Sequence, residues 1–404
     1  MLIVVYTFNF IDRQIVGILA GPIKAELGLS DTQLGLMGGL AFALFYTALG
    51  VPIGLLADRR SRTWIMTGAL ALWSGFTALC GFAQNFWQLF LARMGVGVGE
   101  AGGVAPAYSL IADYFPPDER ARALAVYSFG IPLGSAAGIF LGGWIASAVD
   151  WRTAFVTVGA AGLALAPLFR FAVREPARGR FDPPRADTVA PPIGTVLRTL
   201  AAKPSFWLMS FGAGSCSILG YGLIFWLPSF FARTYDLALM QVSQFYGSII
   251  LIGGIIGIWG GGWLGDRLGR ASRAAYARIP AIAFLIAAPC YAVGVLSDWL
   301  PLTYAMFLVP QALGLMWLGP VLSAVQHVAP ATMRTTASAI FLFINNLIGI
   351  GLGTVLFGLI SDRLAPQFGD ESLRYSILMG LGFYLLSAAL FLLAARRLDR
   401  DWER

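Results

Sequence analysis

Apolar residues recur along the whole chain in runs of roughly 20, each long enough to cross a hydrocarbon core of about 30 Å as a helix. Polar and charged residues gather in the short gaps between the runs. The alternation predicts twelve membrane-spanning helices, over residues 1–20, 32–56, 63–82, 87–111, 121–146, 151–172, 205–231, 240–264, 274–296, 301–326, 335–360 and 373–395. One gap is long. Residues 173–204 are rich in arginine and proline, lack helical periodicity and read as a linker. The expected organisation is an N-terminal six-helix bundle (1–172), a cytoplasmic linker (173–204), and a C-terminal six-helix bundle with a short tail (205–404). The chain opens directly in an apolar helix at Met1 without a basic leader, so a start upstream is expected.

Composition agrees with this reading. Hydrophobic residues make up 58% of the chain and charged residues 12%, against about 25% charged in a soluble domain. The formal charge of +7 does not imply nucleic acid, because the arginines sit in short loops where they act as topology signals. Alternate loops hold 21 of the 28 Lys and Arg residues. That arginine-rich side, with both termini, is expected to face the cytoplasm. Cys80, Cys216 and Cys290 lie far apart in apolar runs and read as core residues. Neither a metal site nor a cofactor is expected.

A repeat changes the picture further. Gly54-Leu-Leu-Ala-Asp58-Arg59-Arg60-Ser61-Arg62 recurs 208 positions later as Gly262-Trp-Leu-Gly-Asp266-Arg267-Leu268-Gly269-Arg270. Each copy ends an apolar run, so the chain holds two related bundles. Asp58, Arg59, Arg62 and their counterparts Asp266, Arg267 and Arg270 suit caps and ion pairs at helix ends. They are read as loops that hold the halves closed on the cytoplasmic side in one state and release them in another. Glycines spaced by four, Gly130, Gly134 and Gly138, form a ridge for close helix approach.

A charge near the bilayer centre costs at least about 2.5–3.5 kcal/mol and therefore implies a function and a partner. Four such residues stand out: Asp12 and Arg13 in the first span, Arg93 and Glu100 in the fourth. Arg93 and Glu100 are two helical turns apart on one face, so each can meet a partner from the first span. A carboxyl group in a dry cavity favours its protonated form, and water or a nearby arginine reverses that. Asp12 and Glu100 are thus candidates for taking up and releasing protons, with a fixed ion-pair network as the alternative. Arg13 and Arg93 suit ion pairing or an anionic headgroup. The second half has no deep charge. Its candidate cavity residues are milder: Tyr246, Gln311, Asn345, Asn346, Trp226 and Trp317, each of which ordinary packing also explains. A cavity charged on one wall and apolar on the other fits an amphipathic ligand.

The duplicated Gly-x-x-x-Asp-Arg-x-x-Arg loop, the paired six-span halves and the central linker resemble the major facilitator superfamily over essentially the whole chain. Asn9-Phe-Ile-Asp12-Arg13, Phe86-Trp87, Arg93-Met-Gly-Val-Gly-Val-Gly99-Glu100-Ala, and Ile131-Pro132-Leu-Gly134-Ser135 resemble its spinster lipid-transporter family. The second half is similar at superfamily level only. The resemblance implies an all-α fold and secondary transport of lysophospholipids or sphingosine-phosphate-like lipids by rocking of two bundles, with Asp12, Arg13, Arg93 and Glu100 at functional positions. It also implies monomeric function. The short loops look bacterial, which makes a bacterial inner membrane the expected location. The competing reading is a proton-driven exporter of drugs or small organic anions on the same fold. An intramembrane enzyme is disfavoured, because one histidine and two deep acids do not supply a catalytic constellation. No phosphate-binding Gly-x-x-x-x-Gly-Lys-Ser/Thr loop is present, which favours gradient-driven transport.

Overall fold

The computed structural model describes residues 1–181, 192–269 and 272–403, and these form helices joined by short turns. The first half runs α1 (Leu2–Ile18), α2 (Ala20–Leu27), α3 (Asp31–Gly38), α4 (Leu40–Arg59), α5 (Arg62–Cys80), α6 (Phe86–Glu100), α7 (Val104–Tyr114), α8 (Pro117–Ser128), α9 (Gly130–Ala148) and α10 (Trp151–Ala172). After α11 (Ile193–Ala201) come α12 (Pro204–Tyr235), α13 (Leu239–Gly269), α14 (Ala275–Leu296), α15 (Leu300–Leu315), α16 (Leu318–Val328), α17 (Arg334–Phe368), α18 (Ser372–Gly380) and α19 (Gly382–Asp401).

Local chemistry sets the boundaries. The Asn85 side chain accepts from the Gln88 N–H at 3.0 Å and starts α6. Asp150 does the same for α10 through the Thr153 N–H at 2.6 Å. Ser30 and Gln33 form a reciprocal capping box at α3. Several spans are two helices end to end. Among the described residues nine helices are long and apolar enough to cross a membrane, and the α1–α2 pair, bent by 50°, makes a tenth. The stretch Thr336–Asp401, one of the nine, is interrupted at Gly369, where φ is +56°. α6 and α7 are likewise two helices in sequence, interrupted by the Ala101-Gly102-Gly103 turn.

The chain divides into two compact units. The first comprises Met1–Arg185, Ile224–Ser248 and Thr354–Asp362. Its glycine ridge on α9 packs on α1: a Cβ at Gly134 would lie 2.3 Å from the Thr7 carbonyl oxygen. Trp73, Phe42, Phe155 and Phe169 fill its core. The second comprises Ala186–Leu223, Ile249–Gly353 and Arg363–Arg404. There Phe284 stacks on Tyr384 with centroids 4.6 Å apart, and the Ser387 hydroxyl donates to the Gly212 carbonyl at 2.7 Å.

Candidate functional site

The four deep charges meet inside the first unit. Arg13 Nε of α1 donates to Glu100 Oε2 of α6 at 2.8 Å, and the glutamate side chain is fully buried. Helical spacing explains the second contact. Arg93, two turns before Glu100 on the same face, also reaches α1, and its Nη1 donates to the Asp12 carbonyl oxygen in a long 3.5 Å contact. The Asp12 carboxyl faces Arg93, Thr77 and Trp73. Trp73 stands there because α5 and α6 touch: a Cβ at Gly99 would lie 2.5 Å from the Trp73 backbone nitrogen. Asp12, Arg93, Glu100 and Asn9 are all at most 2% exposed.

This core is polar beyond what it satisfies. Among the described residues, Asp12 Oδ1, Glu100 Oε1, Arg93 Nε, Trp73 Nε1, Ser74 Oγ, Thr77 Oγ1 and both side-chain polar atoms of Asn9 are buried without a protein hydrogen bond. Buried polar atoms are normally paired, and eight such atoms on α1, α5 and α6 lack a protein hydrogen bond here. Arg13 is further held by rings. Its guanidinium carbon lies 4.7 Å from the Tyr46 centroid, 4.8 Å from Phe42 and 5.1 Å from Phe10. Tyr6 stacks on Tyr127 at 4.2 Å, and Tyr108 meets Tyr127 edge-on at 5.6 Å. These tyrosines and Phe42 escape sequence reasoning because isolated aromatics in apolar runs look like ordinary core. Their only sequence signal is the recurrence of Tyr in several neighbouring spans.

The milder candidates are distributed between the units. Trp226 and Tyr246 lie in the first. Trp226 is fully buried and donates to the Thr354 carbonyl at 2.8 Å; Tyr246 is fully buried with its ring centroid 5.9 Å from Phe231. The rest lie in the second. Ser217 donates to Asn345 Oδ1 at 2.8 Å, Asn345 to Asn346 at 3.4 Å, and Tyr291 to Gln311 at 3.5 Å. Trp317 is 6.4 Å from Phe341, ring to ring.

In the duplicated loops, the side chains of Asp58 and Asp266, and Arg270 altogether, lie outside the described residues. Arg59 is exposed, and the Arg267 guanidinium sits 5.3 Å over Trp263. Arg62 is the buried one. It pairs with Asp113 of α7 and donates to Glu175 at 2.7 Å and to the Ser109 hydroxyl at 2.8 Å. Glu175 also accepts from the Thr63 N–H at 2.9 Å and the Ser61 hydroxyl at 2.8 Å. Partial burial works against its charge, but these donors outweigh that and hold the carboxyl at about 2. Arg178 donates to the Ala57 and Arg60 carbonyls and closes the end of α4. The first residues of the expected linker, Arg174 to Gly179, are therefore docked on the first half. Glu175 and Arg178 were hidden because they sit in a polar stretch with no periodicity to place them.

Comparison with known proteins agrees with this architecture. Residues 2–354 match the sequence pattern described as Major Facilitator Superfamily. The chain is 34% identical over 402 residues to an MFS-type efflux pump of Mycolicibacterium smegmatis, spanning 99% of this chain and 92% of that protein. It is 31% identical over 425 residues to protein spinster homolog 1 of Mus musculus, spanning 98% and 80% respectively. A solved bacterial homolog of the human lysosomal transporter spinster, inward-facing and unoccupied, superposes with a TM-score of 0.90 at 30% identity, covering 100% of this chain and 97% of that one.

Proposed function

Because the chain belongs to the major facilitator superfamily as a spinster-like member, and is thus a multi-pass membrane transporter and not an enzyme, we propose that it moves amphipathic lipids by proton-coupled alternating access. The cargo class is lysophospholipid or sphingosine-phosphate-like. The observation that carries this reading is the incompletely bonded cluster of Asp12, Arg13, Arg93 and Glu100. Two acids and two bases make it formally neutral. Protonating Glu100 discharges the carboxylate that Arg13 contacts at 2.8 Å and gives the four-residue cluster a formal charge of +1. An anionic headgroup supplies the missing negative charge in the planar, two-pronged geometry arginine favours. The Phe10, Phe42, Tyr46 and Tyr108 rings give the apolar part of the cargo a surface beside it. Asp12, facing Arg93, is the second proton carrier. The protein sits as a monomer in a bacterial inner membrane, with its arginine-rich loops and both termini in the cytoplasm.

Flux of labelled lysophospholipid and of sphingosine-1-phosphate in proteoliposomes, with and without an imposed pH gradient, tests this. Gradient-stimulated flux that disappears in Glu100→Gln supports it; flux indifferent to the gradient refutes the coupling. A second reading, export of drugs or small organic anions, is favoured by the similarity to the mycobacterial efflux pump. Transport of an amphipathic dye and neither lipid would select it.

A further inference from the structure

The second unit carries a groove of about 680 Å³ between the start of α12 and the end of α19. Its walls include Trp207, Phe211, Leu390, Leu393, Arg396 and Arg397. Helical spacing builds it. Pro204, Trp207 and Phe211 fall at i, i+3 and i+7 on one face of α12, and Leu390, Leu393 and Arg397 repeat that spacing on α19. The two helices meet at Gly212, where a Cβ would lie 3.5 Å from that of Leu390. The walls are held in place. Trp207 Nε1 donates to the Leu200 carbonyl at 3.0 Å, and its ring stacks on Phe211 with centroids 6.3 Å apart. Asp401 accepts from the Ser205 N–H at 2.9 Å, and Lys203 pairs with Glu403, which fastens the end of α19 to the start of α12.

The groove is apolar along its length and cationic at one end. Phe211 and Leu393 are 47% and 46% exposed on stretches long and apolar enough to cross a membrane, so this surface faces hydrocarbon. The apolar run of α19 ends at Ala395, which places Arg396 and Arg397 where hydrocarbon gives way to headgroups, about 10 Å along the helix from Leu390. Both arginines are exposed. Among the described residues neither has a carboxylate partner, because Asp401 and Glu403 are engaged by Ser205 and Lys203. Beside the rim, α11 exposes Ile193 and Leu197 at 64% and 40%. They share a stripe with Ala201, which also lines the groove, as in a helix lying in the plane of the membrane surface.

We propose that this groove is a binding site for an anionic glycerophospholipid of the surrounding bilayer, held as a resident ligand and not as cargo. The acyl chains lie along Phe211, Leu390 and Leu393, Trp207 walls the glycerol level, and the phosphate accepts from Arg396 and Arg397. Charge complementarity selects the occupant. Two guanidinium groups without acids favour a headgroup of net negative charge over a zwitterionic one, whose ammonium they repel. The bound lipid joins the ends of α12 and α19. The inference rests on the membrane-spanning fold and not on the identity of the cargo.

Native mass spectrometry of the full, delipidated chain in detergent, titrated with dioleoylphosphatidylglycerol or dioleoylphosphatidylcholine, reads occupancy directly. Phosphatidylglycerol should bind more tightly. Arg396→Gln combined with Arg397→Gln should weaken it about 30-fold, a factor of about five per arginine. Arg400→Gln, at an exposed arginine of the same helix outside the groove, should bind as wild type does. A loss per arginine as large at Arg400 as in the groove would mean diffuse attraction by surface charge and would overturn the site. Leu393→Trp leaves the charge unchanged but fills the groove, and it should displace the lipid. Phosphatidylglycerol binding at wild-type strength in both the double variant and Leu393→Trp would overturn the proposal. If the double variant fails to fold, Leu393→Trp decides alone, and wild-type binding there would overturn it. Competition by soluble glycerophosphoglycerol would show a headgroup site that needs no acyl chains, and dimers that dissociate in the double variant would give the groove to a second copy; either would overturn the lipid.

Discussion

Two buried acidic clusters in the first unit are wired in opposite ways. Around Asp31 both carboxylate oxygens are fully engaged, by Lys24, Arg233 and Ser361. Around Asp12 and Glu100 one oxygen of each acid has no protein hydrogen bond among the described residues, although the side chains are as deeply buried. A saturated carboxylate resists protonation, since its lone pairs already hold donors. An unsaturated one can take a proton without first surrendering a bond. The difference fits the proposed proton exchange at the unsaturated cluster, where one oxygen of each acid is open to a proton. Arg62 with Asp113 and Glu175, on the arginine-rich side, belongs with the saturated kind.

Substitutions can break this contrast. The largest effect is expected at Glu100→Gln, which keeps the shape but removes the titrating group. Gradient-driven flux should fall by about 100-fold, while the melting temperature in detergent changes little. A variant that melts early and transports normally would place Glu100 with the structural clusters. Arg62→Ala should do the reverse. It removes the guanidinium that pairs with both buried Asp113 and Glu175 and should cost about 3 kcal/mol of stability, read as early melting, with the pH dependence of flux retained in the folded fraction. The second unit supplies a neutral control. Ser217→Ala strips Asn345 Oδ1 of its 2.8 Å donor and should cost about 1–2 kcal/mol, with no change in proton coupling.

The smallest effect is a pH dependence. Glu175 ordinarily titrates near 4.5 and is held at about 2 in the fold. A depressed carboxylate stabilises the folded state fully above its unfolded value and loses that contribution as pH falls toward its folded one. Acid should therefore loosen the contact between residues 174–179 and the α4–α5 turn progressively below a pH of about 4.5. Limited proteolysis after Arg178 across that range checks it. Glu175→Gln should remove the dependence, and a wild-type cleavage rate flat from neutral pH down to about 2 would contradict it.

The spans were legible because roughly 20 apolar residues in a row have no other stable home, and the turns between them carry the arginines. The four deep charges were legible for the same reason: against an apolar background each is expensive. The seven-residue spacing of Arg93 and Glu100 even shows that both can face α1. What lies around them was not legible. Thr77, Trp73 and Asn9 are common residues, and only the approach of α5 to α6 at Gly99 brings Trp73 and Thr77 to Asp12. Asp31 was missed for a different cause. At the start of a helix an aspartate reads as a local cap, and nothing in the sequence reveals a partner 202 residues away in Arg233. Glu175 lay in a segment that reads as linker. Sequence exposes a charge in the wrong solvent far better than a charge whose partner is distant.

Glu100, paired with Arg13, is proposed to couple proton movement to cargo. That assignment stands or falls on lysophospholipid flux in proteoliposomes, wild type against Glu100→Gln, each with and without an imposed pH gradient. The expected result is stimulation by the gradient in the wild type and none in the variant, with both proteins folded. Equal stimulation in the two would contradict the coupling and reduce the Arg13–Glu100 pair to a structural contact.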